Sequence, residues 1–202
     1  MAKNLMHLQS LRKRLRIARQ TIPERYATQA SYRFSELISQ LDCYQSASNL
    51  GAFLPFNGEA DPLPLMDRAI LDGKSVHVPT VTGKTEPLSF VRWTRESELR
   101  ANQFGIQEPV HQESDRIDGR QLDCVIVPLV GFDESCHRIG VGGGFYDRTF
   151  ACLPAKSIRT YRLVGIAFEL QKVPEIKAQP HDVPLDFVVT ESTVYDRGSE
   201  IS

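Results

Sequence analysis

The sequence has no apolar run approaching the roughly 20 residues that a membrane-spanning helix needs. Its basic N-terminus is followed by neither the apolar segment nor the small-residue cleavage site of a secretory signal. Its four cysteines, Cys43, Cys124, Cys136 and Cys152, form no C-x-x-C pair, and no histidine stands at zinc-finger spacing from them. They read as reduced thiols used for packing. An excess of one charge is also missing. Lys+Arg number 24 against 25 Asp+Glu, a net charge of -1, which argues against bulk electrostatic capture of nucleic acid. There is no repeat, low-complexity tract or linker. What remains is a chain of 202 residues, 41% hydrophobic and 24% charged, enough for one sizeable core. The expectation is a single cytoplasmic globular domain over 1–202.

Residues 1–41 read as two helices. In residues 11–19, Leu11, Leu15 and Ala18 recur at helical spacing, with Arg12, Lys13, Arg14, Arg16 and Arg19 around them. Pro23 suits the start of the second helix, whose apolar face would carry Tyr26, Ala30, Phe34, Leu37, Ile38 and Leu41. Strands are predicted in residues 48–56, 75–79, 88–93, 123–130, 162–168 and 186–190. The run at 123–130 is the most apolar and is expected at the centre of the sheet. A helix is predicted over 62–73, ending at Gly73, and one or two helical turns over 96–105. Alternating strands and helices point to an α/β domain with a mostly parallel sheet flanked by helices.

The informative stretch is 131–153. An apolar strand runs into a turn holding Gly140, Gly142, Gly143 and Gly144, and residues 145–153 then have helical character. Such a turn exposes backbone N–H groups, and without Cβ atoms it lets a phosphate approach closely. Arg138 and Arg148 flank it and could add charge-assisted bonds. Two standard phosphate motifs are excluded. No Gly-Lys-Ser/Thr closes the turn, and a dinucleotide fingerprint begun at Gly140 would need glycine where Phe145 stands.

The segment RIGVGGGFYDR, residues 138–148, resembles the Arg-Leu-Gly-x-Gly-Gly-Gly-Tyr-Tyr-Asp-Arg segment of the 5-formyltetrahydrofolate cyclo-ligase (5,10-methenyltetrahydrofolate synthetase) family. The resemblance is collinear over nearly the whole chain. It includes LRKRLRIAR at 11–19, FLPFNGEAD at 53–61, FGIQEP at 104–109, VIVPLVGFD before the glycines, and His181-Asp182. It implies a single domain of the ribose-phosphate-isomerase and CoA-transferase-like type, with the site at the carboxyl ends of the strands. It also implies a monomer that uses ATP and Mg²⁺ to turn 5-formyltetrahydrofolate into 5,10-methenyltetrahydrofolate.

By this resemblance, Arg12, Arg138, Gly140, Gly142, Gly143, Gly144, Phe145, Tyr146 and Asp147 would meet ATP. Leu54, Phe56, Glu59, Gly143 and Phe145 would meet the folate, with Asp147 and Asp182 as Mg²⁺ ligands. Tyr146 and Arg148 are the expected catalytic residues, Arg148 by stabilising the transferring phosphoryl group. Phe145 replaces the family's tyrosine, so no hydroxyl acts there. Leu8 stands where a lysine is expected, which leaves open which N-terminal cation reaches the nucleotide. A carboxylate such as Glu59 suits a pterin ring because it can accept from two adjacent N–H donors.

Other residues carry plainer readings. His77 reads as a satisfied strand histidine and Trp93 as a packing residue. His7, His111 and His137 show no partner pattern. His181 either orients Asp182 or sits on the surface. Two competing functions stay in view: nucleic-acid binding through the basic helix, supported by local charge alone, and a nucleotide or folate binder without turnover.

Overall fold

The computed structural model describes residues 2–151 and 160–198. Helices α1 (Ala2–Gln20) and α2 (Glu24–Ile38) open the chain, followed by the single turn α3 (Asp42–Gln45). Then come β1 (Asn49–Gly51), α4 (Leu63–Leu71), β2 (Ser75–Thr80), β3 (Ser89–Arg92), β4 (Leu99–Ala101) and β5 (Gln107–Pro109). The chain continues through β6 (Ile117–Asp118), β7 (Cys124–Pro128), β8 (Gly131–Phe132), β9 (Arg138–Ile139) and α5 (Phe145–Phe150). Strands β10 (Arg162–Ile166), β11 (Phe187–Val189) and β12 (Val194–Asp196) complete it. No helix among the described residues is long and apolar enough to cross a membrane.

Eight strands form the main sheet in the order β12-β11-β10-β7-β1-β2-β3-β6. Strands β2, β1, β7, β10 and β11 run parallel, and β3, β6 and β12 run antiparallel at the two edges. The mostly parallel α/β sheet expected from the sequence is present. Strand β7 lies between β1 and β10 and is buried on both faces. Cys124 and Ile126 pack with Phe34 and Ile38 of α2 and Leu65 and Met66 of α4. Val125 and Val127 pack with Phe150, Tyr161 and Leu163 in the opposite layer. Burial on both sides explains an apolar run without alternation.

From β1 the chain moves outward to β2 and the edge, then returns to β7 on the other side of β1. Strand order reverses between β1 and β7, and such a switch point leaves a crevice at the carboxyl ends of those strands. Helix α1 lies near this end. Its buried Leu15 packs with Val130, Ile139 and Val173.

Several local expectations are corrected. Residues 96–105 are not helical. Leu99–Ala101 pairs antiparallel with Gln107–Pro109. The hairpin closes where the Asn102 side chain accepts from the N–H groups of Phe104 (2.8 Å) and Ile106 (3.1 Å). An asparagine that satisfies the turn in this way competes with helix. Tyr26 is exposed, with its hydroxyl donating to Glu191 at 2.6 Å, and Leu41 lies beyond the end of α2. The first strand is only Asn49–Gly51. Beyond it the chain must leave the sheet to border the crevice.

Candidate active site

A cavity of about 530 Å³ occupies the carboxyl ends of β1, β2 and β7. Besides the ends of β2 and β7 and Leu88 just before β3, four segments line it. The loop after β1 gives Leu54, Phe56, Asn57 and Glu59, and α1 gives Arg16 and Arg19. The β4–β5 hairpin gives Phe104, Ile106 and Glu108. The glycine turn and the start of α5 give Arg138, Gly140, Gly144, Phe145, Tyr146 and Asp147. Leu54, Phe56 and Glu59 therefore face the same space as the glycine turn, although some eighty residues separate them in sequence. Arg12, Gly142, Gly143, Arg148 and Asp182 border the turn or its supports rather than the cavity.

The glycine turn needs its glycines for geometric reasons. Gly144 caps α5 at φ 64, in the left-handed region. A Cβ on Gly143 would stand 2.8 Å from ring carbons of Phe145. Helix α5 is observed over six residues, Phe145–Phe150, and residues 152 and 153 of the expected helix lie outside the described residues. Cys152 lies there too. A helix this short has a weak dipole, so the turn's capacity for an anion depends on backbone N–H groups and nearby arginines.

Arg138 is held in place. Its side chain is 6% exposed, Nη2 donates to Asp147 Oδ1 at 2.5 Å, and Nη1 donates to the carbonyl of Val183. The same Asp147 oxygen accepts from the Val183 N–H at 3.1 Å. Burial lowers the Arg138 pKa, and Asp147 opposes that change. A guanidinium so paired stays charged. Together these groups fasten the glycine turn to the segment carrying Asp182. Asp182 Oδ2 accepts from the Gln179 N–H at 2.7 Å. His181 lies 3.8 Å from Asp182 and its side chain is 78% exposed, so of its two readings the surface one is observed.

Arg148 also serves the turn. It donates to the carbonyls of Gly143 (2.7 Å) and Lys84 (3.0 Å), and its guanidinium lies 4.9 Å from the Phe145 ring centroid. Phe104 of the hairpin meets the same ring edge-on at 6.3 Å. The hairpin's part in the cavity had no signal in the strand and helix periodicity.

Helix α1 supplies a stripe of arginines. Arg12 Nε donates to the Gly140 carbonyl at 2.9 Å and Arg16 Nη2 to the Val141 carbonyl at 3.2 Å. Arg19 is 5% exposed, and its Nη2 and Nη1 donate to the carbonyls of Asn57 (2.9 Å) and Leu129 (3.4 Å). Its Nε has no hydrogen-bond partner among the described residues. Arg16 and Arg19 were not among the expected site residues. Their signal was available, because positions 12, 16 and 19 share one helix face with the buried Leu15.

Glu59 Oε2 accepts from the Phe56 N–H at 3.2 Å. Burial pushes its pKa up, and the Arg19 charge and that hydrogen bond pull it back. Tyr146 is half-buried, its hydroxyl oxygen is buried without a hydrogen-bond partner among the described residues, and burial, reinforced by the Glu59 charge, pushes its pKa well up. A buried polar group left unpaired beside a cavity marks a place where a ligand completes the bonding.

The remaining histidines differ from their plain readings. His77 is buried in β2, but its Nδ1 has no partner, and burial lowers its pKa. His137 lies 3.1 Å from Asp133 Oδ2. His111 contacts the Pro109 carbonyl (2.8 Å) and accepts from Arg116 Nε (3.1 Å). Trp93 is a core residue.

An open α/β sheet with arginines, a glycine turn and carboxylates gathered at its switch point has the anatomy of a small-molecule enzyme. Residues 5–191 match the 5-formyltetrahydrofolate cyclo-ligase family, and the chain belongs to that family. It is 37% identical over 153 residues to the 5-formyltetrahydrofolate cyclo-ligase of Escherichia coli (strain K12), covering 74% of this chain and 81% of that one. Its identity to the Haemophilus influenzae enzyme of the same name is 31% over 183 residues, covering 90% and 96% of the two chains. The NMR structure of Aquifex aeolicus 5,10-methenyltetrahydrofolate synthetase superposes with a TM-score of 0.80 at 28% identity, covering 96% of this chain and 95% of the other.

Proposed function

We propose that this protein, a cytoplasmic monomer, couples ATP cleavage to the conversion of 5-formyltetrahydrofolate into 5,10-methenyltetrahydrofolate, releasing ADP and phosphate. The observation that carries this reading is the single cavity. Glu59, Leu54 and Phe56 line it from one side, and Gly140, Gly144, Tyr146 and Asp147 from the other. An apolar wall with a half-buried carboxylate suits a pterin ring. The glycine turn with the α1 arginines suits a triphosphate.

The chemistry explains why both ligands must share one space. An N-formyl group is an amide, with a weakly electrophilic carbon and a poor leaving group in its oxygen. Transfer of the γ-phosphoryl to that oxygen releases ADP and makes it a leaving group. N10 of the folate then bonds to the formyl carbon, the carbon–oxygen bond breaks, and phosphate departs. The protein's task is to align the phosphoryl with the formyl oxygen, balance charge and exclude water. Arg12 and Arg16 hold the glycine turn against α1 and bring positive charge to it. Arg148 braces the turn at Gly143.

Among the described residues, no group of three or more His, Cys, Asp or Glu side chains forms a metal cage. Mg²⁺ is commonly held by one or two carboxylates together with substrate phosphates. Asp147 is the fitting donor, since it borders the cavity with Oδ1 accepting from Arg138 and Val183 and no bond to Oδ2 among the described residues. Asp182 is the second candidate. When bound, the ion would neutralise phosphate charge.

Purified protein given ATP, Mg²⁺ and 5-formyltetrahydrofolate should develop the absorbance of the conjugated methenyl product, with all three components required. Asp147→Asn should lower turnover at least about tenfold, with partial recovery at high Mg²⁺. Nucleotide binding without product would reduce the protein to a binder. Tight, salt-sensitive RNA binding without turnover would favour a role for the basic helix instead.

A further inference from the structure

We infer that Arg19 is a specificity-determining residue that reads the ring carbonyl of the pterin, and this rests on the folate reading above. Arg19 stands at the switch point. Its two terminal nitrogens tie the loop after β1, at Asn57, to the end of β7, at Leu129. The side chain is almost wholly buried and borders the cavity, and among the described residues its Nε has no hydrogen-bond partner. Asn57 is held at φ 50, so the backbone accepting from Arg19 is itself in an uncommon conformation. Glu59 follows two residues later, close enough for its charge and that of Arg19 to act on each other.

The polar edge of an oxidised-at-C4 pterin presents an amino N–H, a ring N–H and then a carbonyl oxygen. A carboxylate can accept from the first two. The third position needs a donor, and a fixed guanidinium beside the carboxylate supplies it. Because two of its nitrogens are already committed to backbone carbonyls, Arg19 is pre-positioned, and its third nitrogen, Nε, is fixed with them. A buried, unpaired donor also rejects a ring that offers no acceptor there, since that ring leaves the desolvated N–H unpaired.

The test uses 5-formyltetrahydrofolate labelled with ¹³C at the ring carbonyl, bound to the full-length protein without nucleotide. Hydrogen bonding to a cation polarises a carbonyl, so binding to the wild-type protein should move the label downfield. Arg19→Met should abolish the shift and weaken affinity about tenfold, equivalent to about 1.4 kcal/mol. Arg19→Lys should restore part of both. In the Arg19→Met protein, the acid limb of folate binding should also move to higher pH, because the cation that pulls the Glu59 pKa down is gone. A label unmoved on binding to the wild-type protein overturns the assignment while leaving the folate reading intact, and this outcome needs no variant to fold. Full affinity and an unchanged shift in Arg19→Met overturn it equally. Absence of any folate binding by the wild-type protein overturns both.

Discussion

The two ends of the parallel sheet use similar residues to opposite effect. At the amino end, Asp123 Oδ2 accepts from the N–H groups of Ser48 (2.9 Å) and Asn49 (2.8 Å), bridging β7 to the start of β1. Asp186 Oδ2 accepts from the Leu163 N–H at 2.7 Å, bridging β11 to β10. These carboxylates are tied to backbone N–H groups of neighbouring strands. At the carboxyl end, Glu59 holds one backbone N–H, and among the described residues Arg19 Nε and Tyr146 Oη have no partner. A protein that satisfies its polar groups at one end and leaves them unpaired at the other shows where binding energy is reserved for a ligand.

The largest effect should come from breaking the finished end. Asp123→Ala removes two charge-assisted bonds between strands, and a cost of about 2 kcal/mol is expected after allowing for partial exposure. Thermal unfolding should record this as a fall in Tm of about 4–8 °C. Turnover per folded molecule should stay within about twofold, because the site lies at the other end of the strands. A loss of turnover without a loss of stability would erase the distinction between the two ends.

Glu59→Gln should do the reverse. Affinity for 5-formyltetrahydrofolate should fall about tenfold, since an amide accepts at one atom where the carboxylate accepts at two. Stability should hold or rise. Burial raises the Glu59 pKa above its ordinary 4.5, so the folded state favours the protonated form. Its contribution to stability is therefore fully present below 4.5 and declines as pH rises through the raised value. The glutamine variant should lack that decline in a pH series of denaturant midpoints. A variant that loses stability at neutral pH while keeping its folate affinity would show that Glu59 is structural.

The contrast between the ends also sets what could be read from the sequence. The unbroken apolar run that becomes β7 announced a strand buried on both faces. The glycine turn, Glu59 and the apolar residues near it were visible as a motif. The alignment of Arg12, Arg16 and Arg19 along one face of α1 was present in the spacing, but nothing local showed that this face meets β1 and β7. That depends on the sheet order. The β4–β5 hairpin was misread because Asn102 organises its turn through side-chain bonds that periodicity does not register. The contacts by which Arg148 and Asp182 hold the glycine turn and its neighbouring loop had no signal in the sequence either.

Tyr146→Phe sharpens the comparison with the smallest change. It deletes one buried oxygen, without a partner among the described residues, from a half-buried side chain. An unsatisfied buried hydroxyl costs about 1–3 kcal/mol, so its removal should leave stability unchanged or raise it by up to about 1 kcal/mol. Phe145, directly before it, shows that an aromatic ring without a hydroxyl is compatible with the start of α5. Ligand affinity should move the other way, falling about threefold to tenfold as the oxygen that the ligand would have met is lost. Chemical denaturation and calorimetric titration on the same preparation separate the two quantities. A Tyr146→Phe protein that is less stable and binds normally would mean that the hydroxyl is already satisfied in solution. The carboxyl end would then be as finished as the amino end.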